Sequence, residues 1–288
     1  MSTWRFDAIG TRWEIESEAP LDAESRSRTE AVIAAFDSTW SRFRPDSLVS
    51  RLAEAGGAAA VPADAAAMLD AYRELSAATA GAVNPLVGES LNALGYDASY
   101  SLRAGQPVSA PDDWTSVLSW DDERIVLASA AVIDVGALGK GRLVDLVTQE
   151  LRGLEGGLVV DAGGDMTVRG EARIALEHPF EADKAIGVAT IRDRALCASA
   201  VNRRAWGGGL HHVLDARTGM PVRAWAATWA FARDAMHADA AATALFFDGG
   251  PALAQRWGVE WVRMSTAGLA ERSANAPVEL FTARAPLG

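Results

Sequence analysis

Chemistry-bearing residues fall in a few short segments where acids, histidines, a lysine and glycines interrupt apolar sequence. In Ile133-Asp134-Val135-Gly136-Ala137-Leu138-Gly139-Lys140-Gly141 an apolar run ends at an acid, glycines free the backbone, and a lysine enters a helix. Backbone N–H groups in such a turn, with a lysine beside them, can hold a phosphate. An ordinary tight turn would use the same residues, and both readings stay open. It is not a Walker loop, because the glycine spacing and the Ser or Thr after the lysine are missing. Asp161-Ala162-Gly163-Gly164-Asp165 sets two acids around another glycine turn, which reads as a hairpin as readily as a functional loop.

Further along, His211-His212-Val213-Leu214-Asp215-Ala216-Arg217-Thr218-Gly219 places histidines beside an Asp-x-Arg-Thr-Gly turn. Such a group could touch a nucleotide or move a proton. Zinc does not fit, since it wants three protein ligands and neither a further Cys nor a well-spaced His stands nearby. In Ala238-Asp239-Ala240-Ala241-Ala242-Thr243, the acid and the hydroxyl are one helical turn apart and share a face. A carboxylate and a hydroxyl so placed suit a hard cation such as magnesium, although an N-capping Asp with a back-bonded Thr would look the same.

These segments need elements to carry them. Trp4 to Glu16 reads as one edge strand with a bulge or close approach at Gly10, and Ala23 to Phe43 as an amphipathic helix. Ser47 or Asp46 can cap a short helix from Leu48 to Glu54. The alanine-rich run from Ala58, with a cap at Pro62-Ala63-Asp64, reads as helix through Ala80. Ala82 to Gly88 breaks periodicity as an exposed loop. Strands are expected at Ile125 to Leu127, Ala131 to Val135, Gly157 to Asp161, Met166 to Val168 and Ala185 to Ile191, with a helix from Gly141 to Leu151. Strands and helices interleave with no Pro/Gly/Ser-rich linker, so residues 1–288 read as a single domain.

The chain has 288 residues, 49% of them hydrophobic, enough for a substantial core. A formal net charge of −11 argues against a nucleic-acid binder, which needs clustered Lys and Arg, so any phosphate must be held by a local device. The single cysteine, Cys197, excludes a disulfide framework and reads as a small buried hydrophobe. The tryptophans, Trp206, Trp225, Trp229, Trp257 and Trp261 among them, read as packing residues rather than an aromatic platform for a ligand. No apolar run is long enough to span a bilayer and no leader-like segment opens the chain, so a cytoplasmic location without a membrane segment is expected.

In this order the segments resemble the FAD:protein FMN transferase family, also called the ApbE family, over nearly the whole chain. Ile9-Gly10-Thr11 is similar to the family's Met-Gly-Thr, and Ser41-Arg42-Phe43-Arg44-Pro45-Asp46-Ser47 to its Ser-x-Phe-x-x-x-Ser. Ala82-Val83-Asn84-Pro85 resembles its Phe-Asp-Pro loop, and Asp134 to Gly141 its Asp-Leu-Gly-Ala-Ile-Ala-Lys-Gly. His212 to Gly219 resembles its His-x-Ile-Asp-Pro-Arg-Thr-Gly, and Ala238-Asp239 with Thr243 its Ala-Asp-x-x-x-Thr.

The resemblance implies an α+β, T-fold-related domain of two interlocked α/β sub-structures with FAD in the cleft between them. It implies magnesium held by Asp239, Thr243 and main-chain oxygens near Ala137 and Ala242, and flavin contacts from Ile9, Ala82, Val83, Asn84, Asp134, Lys140 and His212. The activity implied is magnesium-dependent transfer of FMN from FAD to a Thr or Ser hydroxyl of an acceptor protein through a phosphoester bond, with AMP released. Asp239 and His212 are then the catalytic candidates, His212 more simply as a binding residue than as a base. FAD hydrolysis to FMN and AMP, or FAD binding without turnover, are the alternatives. The chain departs from the family pattern at Ile9 (Met), at Asn84 (Asp), and at Ala198-Ser199-Ala200 (Thr-Ser-Gly), which bears on substrate preference and rate.

Overall fold

In the computed structural model, which describes residues 1–181 and 183–281, period-two alternation builds the first edge of the sheet. Along Thr11–Ser17 (β2), Trp13, Ile15 and Ser17 are buried while the residues between them face outward, and Ser2–Ala8 (β1) pairs antiparallel with it. The single strand expected over residues 4–16 is therefore a hairpin. Ala8 pairs with Thr11, leaving a two-residue loop in which Ile9 and Gly10 have φ of 48° and 71°. Left-handed backbone at both positions reverses the chain where a bulge would only have bent it.

Helix Ala23–Trp40 (α1) starts where the Asp22 carboxylate accepts from Ser25 N at 2.7 Å, and it ends before Phe43. Ser47 caps Leu48–Ala55 (α2) by accepting from Ser50 N at 3.1 Å. The alanine run is not all helix. Gly57–Ala60 (β3) precedes Pro62, and only Ala65–Ala78 (α3) is helical. Glycines before and a proline after leave the first alanines extended, and a neighbouring strand takes up their backbone groups.

Gly88–Ala93 (α4) and Trp114–Val117 (α5) lead to Leu118–Trp120 (β4) and Arg124–Leu127 (β5), which form a three-stranded sheet in the order β3-β5-β4. Ala131 to Val135 is not a strand. Its Asp134 N–H donates to Pro85 O at 2.8 Å, so this extended segment is tied to the 82–88 loop rather than to a ladder.

Gly139–Glu150 (α6) is followed by Leu158–Asp161 (β6), Asp165–Glu177 (β7) and Ala185–Ala200 (β8). The last two run well beyond the expected spans because a bulge at Gly170, φ 95°, carries the pairing through a polar stretch. Short strands Ala205–Trp206 (β9), Leu210–His211 (β10), Leu214–Asp215 (β11) and Met220–Pro221 (β12) form two small hairpins before Trp225–Ala232 (β13). Ala235–Ala244 (α7), Gly250–Arg256 (α8), Glu260–Ser265 (β14), Ala270–Arg272 (β15) and Val278–Leu280 (β16) complete the chain.

The main sheet is nine-stranded and antiparallel in the order β1-β2-β6-β7-β8-β13-β14-β15, with β16 also on β8. Alternation along β13 sends Trp229 and Phe231 into one core and Ala230 and Ala232 into the other, beneath α7. Helix α7 is alanine-rich and largely buried, with His237, Asp239 and Thr243 as its polar exceptions, and its small alanines let α6 and the sheet approach it closely. The result is the expected α+β single domain. Among the described residues, no helix is long and apolar enough to cross a membrane.

Candidate active site

The hairpin tip at Ile9-Gly10, the end of α1, the 82–84 loop, the Asp134–Lys140 turn and the Ser199–Leu214 stretch meet around a cavity of about 420 Å³. Ile9, Ala82, Val83, Asn84, Asp134, Ala137, Lys140, His212 and Thr243 all line it. Asp239 and Ala242 are buried just behind, on α7. Residues from distant parts of the chain are thus brought to one place. Ile9 is a β-branched residue in left-handed backbone, where the turn alone would favour Asn or Gly.

Beside Thr243, the inner wall is made where α6 meets α7. Gly141 has no side chain to hold the helices apart: a Cβ there would lie 2.1 Å from Ala235 O. That closeness lets Gly141 N donate to Asp239 Oδ2 at 2.9 Å. Asp239 lies in mid-helix, and the N-cap is Asp234, so the capping reading of Asp239 is excluded. Burial raises the Asp239 carboxyl above its usual range, opposed by the charge of Lys140 and by the Gly141 bond. One turn on, Thr243 Oγ1 donates to Ala137 O at 3.2 Å, and Thr228 Oγ1 donates to Ala242 O at 2.7 Å.

These donors are all oxygen. Among the described residues there is no group of three or more His, Cys, Asp or Glu side chains placed to hold a metal, so a cation here would depend on one carboxylate with hydroxyl and carbonyl oxygens. That set fits a hard divalent ion, and each carbonyl keeps a second lone pair.

Adjoining it is a network of fixed charges. Arg42 Nε donates to Asp134 Oδ2 at 2.5 Å, while its other nitrogens donate to Asn92 Oδ1 and to Tyr96 O, both at 2.9 Å. The second Asp134 oxygen accepts from Gly136 N at 2.7 Å, and Tyr72 Oη donates to Asp134 O at 3.0 Å. Asp134 thus holds the turn together as well as facing the cavity. Lys140 pairs with the fully buried Asp165 at the start of β7, so the Asp161–Asp165 segment is a hairpin that also delivers a counter-ion. Asn84 is tied at both ends: Nδ2 donates to Pro111 O at 2.8 Å, and Oδ1 accepts from Leu86 N at 2.9 Å.

His212 Nδ1 is buried without a hydrogen-bond partner. Burial first, and then the charge of Arg204, pull its pKa down to about 3, which leaves the imidazole neutral. Its neighbour His211 is instead held through Nε2 to Val222 O at 2.9 Å, and Asp215 closes its own turn on Arg217. Phe43, Tyr96 and Tyr100 cluster at the cavity, with Phe43 and Tyr100 stacked at 5.3 Å. Among the described residues, Trp40 is the one tryptophan that reaches the cavity wall, and Cys197 is buried with Sγ donating to Ala235 O at 3.3 Å. Sequence reasoning did not assign Arg42, Tyr72, Tyr96, Tyr100 and Arg204 to the site. Arg42 stood inside a quoted segment; the others carry no local signal.

Fold and cleft together define an antiparallel α+β domain whose site lies between a hairpin tip and glycine-rich loops. A sequence profile of the ApbE family matches residues 9–262, and the chain belongs to that family. A curated protein of Rhodobacter capsulatus named FAD:protein FMN transferase is 29% identical over 283 residues, covering 89% of this chain. The chain spans about half (54%) of that relative's length. The crystal structure of the ApbE protein from Thermotoga maritima superposes with a TM-score of 0.81 at 22% identity, covering 95% of this chain and 97% of its own. The flavin transferase ApbE of Vibrio cholerae gives 0.79 at 20% identity, with the same coverage. The apo flavinyl transferase ApbE of Pseudomonas stutzeri gives 0.74 at 22% identity, covering 95% of each chain.

Proposed function

We propose that the chain is a magnesium-dependent FAD:protein FMN transferase. The observation that carries this reading is the convergence of the family-like segments on one cavity, with Thr243 Oγ1 and Ala137 O already 3.2 Å apart and the Asp239 carboxylate one helical turn away. The name of the Rhodobacter capsulatus relative supports the activity.

In this reading the oxygen of an acceptor Thr or Ser attacks the phosphorus of the FMN half of FAD. The new P–O bond is a phosphoester, the bond to the AMP phosphate breaks, and the hydroxyl proton leaves to solvent or to the leaving group. Magnesium, held by Asp239, Thr243 and the carbonyl oxygens of Ala137 and Ala242, would offset negative charge on the diphosphate. The chain's own residues bind and orient. Ile9, Ala82 and Val83 give apolar contact, and Asp134, Asn84 and Arg42 keep that wall rigid.

His212 acts by binding rather than as a general base, because a group with a pKa near 3 is a weak proton acceptor at neutral pH. Its neutral ring can still donate to an anionic ligand oxygen.

The test is incubation of the protein with FAD, with and without magnesium and with a flavin-acceptor domain, following AMP, free FMN and protein-bound flavin. Magnesium-dependent AMP with flavin fixed to the acceptor is expected. AMP with free FMN in equal amounts would make it a hydrolase, and bound but unchanged FAD would make it a flavin-binding protein.

A further inference from the structure

Cations that line the cavity are not equivalent. Arg42 is committed to Asp134, Arg44 to Asp37 and Asp46, and Lys140 to Asp165. Arg204 also lines the cavity, yet among the described residues it has no acidic partner and its guanidinium makes no hydrogen bond. Its charge acts on Asp239 only from a distance, without a contact ion pair, and a half-buried guanidinium so placed can take an anion directly.

The loop that carries Arg204 is otherwise fastened. Val201 N donates to Ala226 O at 3.0 Å, Asn202 Nδ2 donates to Pro179 O at 2.7 Å, and Arg203 pairs with Glu177. Just beyond, Trp206 Nε1 donates to Leu94 O at 2.9 Å, and its ring stacks on Tyr96 at 5.4 Å. Neighbours on both sides hold the backbone, and Arg204 alone is left to face the cavity. Beside it are Ser199 and the orphaned Nδ1 of His212, so neutral polar groups adjoin the free charge.

We propose that Arg204 is a further substrate-binding residue, pairing with the diphosphate of the nucleotide that enters the cleft. This rests on the flavin reading for the name of the nucleotide, although the charge argument requires only a nucleoside diphosphate group. Arg204 can supply a bidentate donor pair to that diphosphate, a geometry that a lysine cannot reproduce.

The test measures dissociation constants of the intact protein for FAD, ADP and riboflavin, at fixed ionic strength, for wild type, Arg204→Gln and Arg204→Lys. The glutamine variant is expected to weaken FAD and ADP by about tenfold or more and leave riboflavin unchanged, with lysine in between. Equal loss for all three ligands would mean that Arg204 only supports the fold of the cleft, and the proposal would fall. Unchanged FAD and ADP affinity, with a raised KM for the acceptor, would move the arginine to the acceptor's side and also overturn it. ADP binding sensitive to Arg204 in a protein that ignores FAD would keep the arginine and sink the flavin reading. Wild type that binds neither nucleotide would overturn both.

Discussion

At the scale of single residues, the cleft separates groups that hold its wall from groups that remain available to a ligand. Asn84 belongs to the first kind. Its amide spans Pro111 O and Leu86 N, so the family's acid at this place would set a carboxylate against a carbonyl. Asn84→Asp is therefore expected to lower stability by about 1–3 kcal/mol, read by urea unfolding, because one buried bond becomes a repulsion. An unchanged midpoint would show that the loop is held by its backbone alone. His212 belongs to the second kind. With its pKa near 3, it stays neutral from pH 5 to 9, so the pH profile of kcat is expected to show no limb from this residue. His212→Gln should raise the KM for FAD with little change in the shape of that profile; a limb near pH 6.5 that disappears in the variant would restore His212 as a base. Ile9, Asn84, Asp134, Lys140 and His212 were legible as cavity residues because each sits in a short segment where polar or glycine residues interrupt apolar sequence and resemble a family motif. Asp165 and Arg204 were not assigned as a counter-ion and an unpaired cation, since pairing depends on which strands become neighbours.

At the scale of elements, the site depends on how closely α6 and α7 can approach. Gly141→Ala would put a methyl group 2.1 Å from Ala235 O, and backbone cannot yield as a side-chain tip can. A loss of about 1–3 kcal/mol or more is expected, with weaker binding of any ligand that uses Asp239, checked by unfolding and by ligand titration on the same sample. The same helix pair carries a pH-sensitive contact. Asp145 on α6 accepts from Ala235 N and Met236 N at 2.7 and 2.9 Å, and burial raises its pKa from 3.8 to about 6. Between about pH 4 and 6 the native protein thus holds more proton at this site than the unfolded chain does. Stability from Asp145 is therefore greatest in acid and falls as pH rises through that window, by roughly 3 kcal/mol at most. Asp145→Asn should flatten that part of the stability profile, and an identical slope in the variant would refute the assignment. Helices with a polar cap and a periodic face were readable from sequence, whereas the β1–β2 turn was not. Its Ile-Gly pair lacks the usual Asn-Gly signal, and the full lengths of β7 and β8 were hidden because a polar stretch, 169–173 against 192–194, interrupts their apolar pattern.

For the whole molecule, the main sheet with a helical layer on its face brings residues from position 9 to position 243 to one cavity, so the site exists only when the domain is folded. The α+β class and the single-domain organisation could be read from interleaved patterns, but the strand order could not, because β13 must insert between β8 and β14 and no local feature encodes that choice. Coupling between site and fold makes ligand binding visible as stability. If a divalent ion binds through Asp239, Thr243 and Ala137, it binds the folded chain alone, because the unfolded chain scatters those oxygens. Magnesium at about a hundred times its dissociation constant should then add about 2.7 kcal/mol. For a domain of this size that corresponds to a rise in Tm of roughly 4–5 °C over the EDTA-treated protein. Asp239→Asn keeps the volume and removes the charge, and is expected to abolish most of this rise while the metal-free Tm stays within a few degrees of wild type. Calcium or magnesium raising both proteins equally would place the ion elsewhere, and no rise in the wild type, with or without ADP, would remove the metal from these residues.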